Sequence, residues 1–299
     1  MTTHRPIVAV GLAFAAPLAA QVGAPRHLLR MAFEPGKAAH YRKAVDTTMK
    51  VVVGGRELNS RTTMTMRVRA EVLEVKDGAA TMRHTVEHVT VKMDGPKVQV
   101  DYDSADPGAS AGPLRRLEEL VGEWISVRLD DRGRCSGATA SDGFPGDALA
   151  GPGGSGPGGS GLDGFVGEIV PELPDEPVAV GETWRTAVYM PVPVLDRPRV
   201  VIENTLVAVG DGRARIRQVV VSDADAERAA DESVPVSVQV EGVLVLDLAT
   251  GMPAESEVRF TLRETSPDAL APATQSIAVT MRVDLVPAPA NATTAGSGR

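Results

Sequence analysis

Apolar and polar residues alternate with period two over most of the chain, and glycine-containing turns break the alternation at short intervals. Val68, Ala70 and Val72 lead through Leu73 and Val75 to Asp77-Gly78, after which Ala80, Met82, His84 and Val86 resume the pattern. Asp-Gly readily takes the positive φ angles of a two-residue turn, so this stretch predicts a strand, a hairpin turn and a second strand. Gly54-Gly55, Asp94-Gly95, Arg132-Gly133, Asp211-Gly212 and Thr250-Gly251 punctuate the chain in the same way. The pattern predicts a mainly β protein built from antiparallel sheets.

A helical period interrupts this pattern in GPLRRLEELVGEW. Pro113 suits a first helical position, Leu114, Leu117, Leu120 and Val121 form an apolar stripe, and Gly122 suits a stop, so an amphipathic helix is expected over 113–121, covering a sheet. Asp223 to Ser233 is polar without an apolar face and predicts an exposed helix or loop.

The pattern also divides the chain. Residues 138–164 contain repeated Gly-Pro-Gly-Gly-Ser units, which cannot bury enough apolar surface to offset ordering entropy, and read as a flexible connector between a first β-rich half (28–137) and a second (165–286). The segment 287–299 reads as a disordered tail. VLEVKDGAATMRHTV, from Val72, aligns with LVAVGDGRARIRQVV, from Leu206, without a gap at an offset of 134 residues. FEPGKAAHY parallels VAVGETW, and ISVRLDDRGRC parallels VLVLDLATGMP, in the same order. Two similar halves, forming a half-barrel or a sandwich by internal duplication, are expected.

Composition narrows the setting. The 299 residues are 43% apolar and 23% charged, enough to bury a core. A formal charge of −8 with no basic run argues against a nucleic-acid partner. Aromatics at 3% leave little for stacking platforms that bind sugars or bases. The first residues run from His4 and Arg5 through an apolar stretch, Ile7 to Ala16, to small residues at Ala19 and Ala20, the order of an export signal over 1–20. After residue 30 no stretch is long and apolar enough for a transmembrane helix.

Three groups of residues test the candidate chemistry. HTVEH, His84 to His88, fits the H-x-x-E-H pattern of one group of zinc peptidases, with two histidine ligands and a glutamate base. That pattern needs a helix, where residues four apart lie one turn above each other. In a strand the same spacing separates the Cα atoms by roughly 13 Å. The surrounding Thr and Val favour a strand, in which His84 and His88 share a face with Met82 and Val86 while Glu87 lies opposite with Arg83. A third ligand would have to come from His27 or His40, and neither sits in a ligand motif. Asp101, Asp103 and Asp106 lack the glycine and glutamate of a calcium loop and read as a solvated turn. Cys135 has no histidine near it in sequence and reads as a small packed residue. No catalytic, cofactor or metal residue is therefore assigned.

Four stretches carry a resemblance: FEPGKAAHY; VKMDGPKVQVDYDSADP followed by PLRRLEELVGEWISVRLDDRG; GFP at Gly143; and LPDEPVAVGETWRTAVYMPVP. Through them the chain resembles an uncharacterised family of exported bacterial β-rich proteins, a domain of unknown function. The resemblance implies a periplasmic or extracellular β fold and brings no catalytic residue with it. Two functions stay open. One is a non-catalytic module that binds an apolar ligand or an envelope protein partner on a curved sheet. The other is a hydrolase whose site is assembled across strands.

Overall fold

The computed structural model describes residues 24–96, 98–106, 115–144, 172–189, 199–222, 236–266 and 273–289. The export segment, most of the connector, Asp223 to Ser233 and all but the start of the tail lie outside them.

The described chain is mainly β and antiparallel, as the period-two pattern requires. One sheet of twelve strands contains β2 (Ala38–Val53), β3 (Arg56–Lys76), β4 (Ala79–Gly95), β5 (Val98–Asp103), β6 (Trp124–Leu129) and β7 (Cys135–Ala140) from the first half. The second half adds β9 (Thr183–Tyr189), β10 (Arg199–Gly210), β11 (Arg213–Ser222), β12 (Val236–Asp247), β13 (Pro253–Ser266) and β14 (Ala273–Val286). The spatial order is β7-β6-β4-β3-β2-β14-β13-β12-β11-β10-β9, with β5 also paired to β4. The halves form one continuous sheet because β14 pairs with β2 along the whole of β14, from Ala273↔Val53 to Val286↔His40. Two short strands, β1 (Arg26–His27) and β8 (Val178–Ala179), pair separately.

Register sorts the side chains into two faces. Tyr41, Val45, Met66, Met82, Val127, Leu206, Ile216, Leu244, Phe260, Val279 and Val283 lie on one face. The other face carries charge, including the ion pairs Arg42–Asp284, Arg185–Glu203 and Arg282–Glu257.

The sheet must curl around its apolar face. Met31 N–H donates to the carbonyl of Asp131, beside β6, and the next residue, Ala32, donates to the carbonyl of Thr250, beside β12. In a flat sheet six strand spacings would separate β6 from β12 by roughly 29 Å. Two consecutive residues cannot bridge that span. The edge strands are also drawn together, for Leu173 N–H donates to Arg132 C=O and Trp184 Nε1 donates to Glu172 C=O. Residues 24–37 and 172–182 thus strap one end of a half-barrel, and Leu29, Met31, Leu173 and Val178 enter a core shared by both wings. The opposite end carries the β2–β3 turn at Gly54-Gly55 and has no strap among the described residues.

Arg132 fastens the strap. The residue is buried; its Nε donates to Leu173 C=O at 2.9 Å, and its guanidinium pairs with Glu172 and Asp175. Removing the guanidinium leaves the buried Leu173 carbonyl without its donor, while Arg134 still pairs with Glu172 and Asp175. Arg132→Ala is expected to cost roughly 1–3 kcal/mol, chiefly from the unpaired carbonyl, and to make 172–182 protease-sensitive in the native state. Chemical denaturation and limited proteolysis check this; an unchanged cleavage pattern would show the strap is held elsewhere.

Local geometry recurs between the halves. The β3–β4 and β10–β11 hairpins turn at Asp77-Gly78 and Asp211-Gly212, with Asp φ angles of 53° and 50°. Each hairpin shifts register twice, between Arg67/Val68 and Val72/Glu74 in one and between Val201/Ile202 and Leu206/Ala208 in the other. Gly36 N–H donates to Val72 C=O and Val72 N–H to Lys37 C=O; Gly181, Leu206 and Glu182 repeat both bonds.

Two expectations change at the boundaries. Of the helix expected over 113–121, the described residues show one turn, α1 (Arg115–Glu118), then a turn ending at Gly122 with φ of 89°; Pro113 and Leu114 lie outside them. The first half extends beyond 137, because β7 continues to Ala140 and Phe144 is buried in the core.

Candidate functional site

HTVEH lies within β4, and the side chains of His84, Glu87 and His88 diverge. His84 is on the apolar face, 1% exposed, paired with Ala70 and Ile125 across the neighbouring strands. Among the described residues neither ring nitrogen has a hydrogen-bond partner, and burial pushes its pKa down to about 4. The expectation that His88 shares this face is wrong. The register shift at Val86–His88 inserts an extra residue, which reverses the alternation, so His88 pairs in register with Arg67 on the charged face. Its Nε2 lies 2.7 Å from Asp103 Oδ1, whereas Glu87 reaches His40 Nδ1 at 3.0 Å. No group of three His, Cys, Asp or Glu able to hold a metal occurs among the described residues.

The acidic turn is similarly dispersed. Asp101 pairs with Lys92, while Asp103 accepts from Ala105 N–H and faces His88. The Ala105 amide first, and then His88, hold the Asp103 carboxyl below the usual carboxylate range. Cys135 is exposed at the start of β7, not packed, because it falls in the outermost strand of the sheet path.

The charged face contains a depression of about 540 Å³, with Arg215, Arg217, Glu241, Glu257, Arg259 and Arg282 in its lining. Hydrogen bonding from Arg282, with Arg259 nearby, lowers the Glu257 pKa, opposite to the raised value a general acid needs. Charges of both signs are interleaved there with Val219, Val243 and Val245, so the depression offers no surface of one sign.

The apolar face offers a different arrangement. Beyond the strapped core, Val240, Phe260, Ile277 and Val279 form a second buried cluster, with Val45, Ile202, Val220, Val258 and Met281 packed against it. The same face continues to the open end, where Met49, Val53, Leu58 and Val98 are 37–47% exposed. An apolar strip therefore runs from sealed core to exposed rim. Sequence periodicity identifies its residues individually; the curl that gathers both wings around it depends on strap contacts between segments far apart in sequence, such as Arg30 with Pro174 and Ala32 with Thr250.

One polar ladder crosses this strip. Gln218 Nε2 donates to Asn204 Oδ1 at 2.9 Å, and Asn204 Nδ2 donates to Thr186 Oγ1 at 3.1 Å. Asn204 is 2% exposed. Sequence reasoning missed the ladder because its members come from three strands; the only hint was Gln218 and Asn204 interrupting apolar alternation.

No family model matches the chain, and no curated protein matches it. Among solved structures, one of lipovitellin, described for its lipid–protein interactions, aligns with a TM-score of 0.54 at 10% identity, covering 87% of this chain and 27% of that one. Pseudomonas aeruginosa OpdQ aligns at a TM-score of 0.26 and 3% identity over 84% of this chain and 99% of its own. DynF, from the dynemicin biosynthesis pathway of Micromonospora chersina, aligns at 0.21 and 13% over 93% and 92%. The last two values carry no argument, whereas the first shows a shared fold with a part of lipovitellin. No helix among the described residues is long and apolar enough to cross a membrane, which does not bear on β-barrels.

Proposed function

We propose that the protein is an exported, non-catalytic carrier that binds an apolar ligand, such as a lipid chain, along the inner face of its half-barrel. The observation that carries this reading is the apolar strip, buried at the strapped end and exposed at the rim through Met49, Val53, Leu58 and Val98. A water-soluble sheet ordinarily keeps such a face covered; a face that emerges at one end lets an apolar chain enter there without opening the sealed end. The fold shared with part of lipovitellin, whose structure concerns lipid–protein interactions, supports the same class of ligand. The export reading rests on the first twenty residues, Met1 to Ala20.

The halves are read as a duplicated unit. Two register shifts, an Asp-Gly turn and a pair of glycine-anchored hydrogen bonds recur at corresponding positions, and bulges are specific features rather than general hairpin properties.

The test is extraction with organic solvent of protein purified without detergent, followed by mass spectrometry, together with titration by diphenylhexatriene, an apolar dye that fluoresces when sequestered. Saturable dye binding that a charged substitution at the rim, Leu58→Glu, weakens several-fold is expected. An extract free of apolar molecules together with no saturable dye binding would rule the carrier reading out.

A further inference from the structure

We infer that the Thr186–Asn204–Gln218 ladder is a head-group site, holding the uncharged hydrogen-bonding head of an amphiphile, such as a glycerol ester, while its tail lies along the strip toward the rim. This rests on the apolar-ligand reading and specifies the ligand further.

Position is the first argument. Asn204 and Gln218 occupy one row of the inner face, paired in register. On the strapped side that row borders Leu206, Ile216 and Leu244 of the sealed core, and on the open side it borders Ile202, Val220 and Val240 of the second cluster. Along β2 the corresponding row is Val45, and from Val45 to Val53 at the rim the apolar face runs roughly 26 Å. A head held at the ladder has a full chain's length of apolar face before it.

Unused bonding capacity is the second. The ladder's two bonds satisfy the Asn204 oxygen and one hydrogen of each amide. Among the described residues, the Gln218 Oε1, its second N–H and the Thr186 hydroxyl hydrogen have no partner of their own. They supply one acceptor and two donors, complementary to the hydroxyl and carbonyl of a glycerol ester. The ladder contains no ionised group, which disfavours a carboxylate or phosphate head whose burial would require a paired cation.

The third is space. Gly242 stands beside Gln218 in register, and a Cβ there would lie 3.0 Å from the Glu257 carbonyl oxygen, 3.1 Å from Val258 Cγ2 and 3.4 Å from Gln218 Oε1. Its φ is not in the left-handed region, so crowding rather than backbone conformation calls for glycine, the condition that marks close approach in a strand. The ladder is also not something the bulged hairpin requires: the matching positions of β3 and β4 hold Ala70 and His84, without a ladder.

The test titrates the intact protein with diphenylhexatriene, which has no hydrogen-bonding group, and by competition with glycerol monodecanoate. The triple variant Thr186→Val, Asn204→Ala, Gln218→Leu removes the partners together, so that none is left buried and unpaired, which favours folding. Expected is about a tenfold loss of glycerol monodecanoate affinity with dye affinity unchanged, as two lost hydrogen bonds imply. Thr186→Val alone, nearly isosteric, gives a several-fold loss and serves if the triple variant does not fold. Unchanged ester affinity in a variant that still binds dye overturns the head-group site and leaves the carrier reading intact. Dye that does not bind the wild-type protein, together with an extract free of apolar molecules, overturns both.

Discussion

Replacing Gly251 with alanine is expected to destabilise the protein by at least about 3 kcal/mol, among the largest effects of any single methyl addition in the chain. A Cβ at Gly251 would lie 2.0 Å from the Arg30 carbonyl oxygen and 2.6 Å from Arg30 C and Met31 Cα. These are backbone atoms of the strap, so relief requires moving the strap itself, including the Ala32 bond to Thr250 and the Met31 bond to Asp131. The φ of 66° adds a smaller penalty. Gly78→Ala separates the contributions, since Gly78 has a φ of 76° and nothing within 4 Å of an added Cβ. It is expected to cost about 1–2 kcal/mol from backbone conformation alone. Equal losses for both variants in urea denaturation would mean that φ, not the strap, demands glycine at 251.

Acidification is expected to remove about 3 kcal/mol of stability through His84 alone. Its pKa is lowered from 6.5 to about 4 by burial, with no charged neighbour contributing to the shift. The unfolded chain therefore binds more protons than the folded one between these values, and stability falls as pH drops through this window. A difference of about 2.5 pH units corresponds to about 3 kcal/mol once the pH is below 4. Above 6.5 the group is neutral in both states and contributes nothing to the slope. His84→Leu should flatten that part of the profile, and it should also raise stability at neutral pH, since both buried ring nitrogens lack partners. Urea midpoints of both proteins at pH 7, 5.5 and 4 test this. A variant that keeps the wild-type slope would assign the acid sensitivity to another group.

The pentapeptide HTVEH shows how far sequence reaches. That it forms a strand is legible from the Thr and Val around it and from the Asp-Gly turn before it, and this is enough to separate the ligand pair a helix would bring together. The face of His88 is not legible, because the extra residue at Val86–His88 is set by pairing with Arg67 and Val68, some twenty residues away.

The antiparallel β class and the Asp-Gly hairpins are legible in the sequence. These depend on alternation and on turn residues, whose effects are local. That β14 pairs with β2 to make one sheet, that the strap draws β6 toward β12, and that Thr186, Asn204 and Gln218 meet on the inner face emerge only in the folded chain. Each of those results from contacts between distant segments, where a whole apolar face must find its cover, and period-two alternation specifies which residues need burial without specifying what buries them.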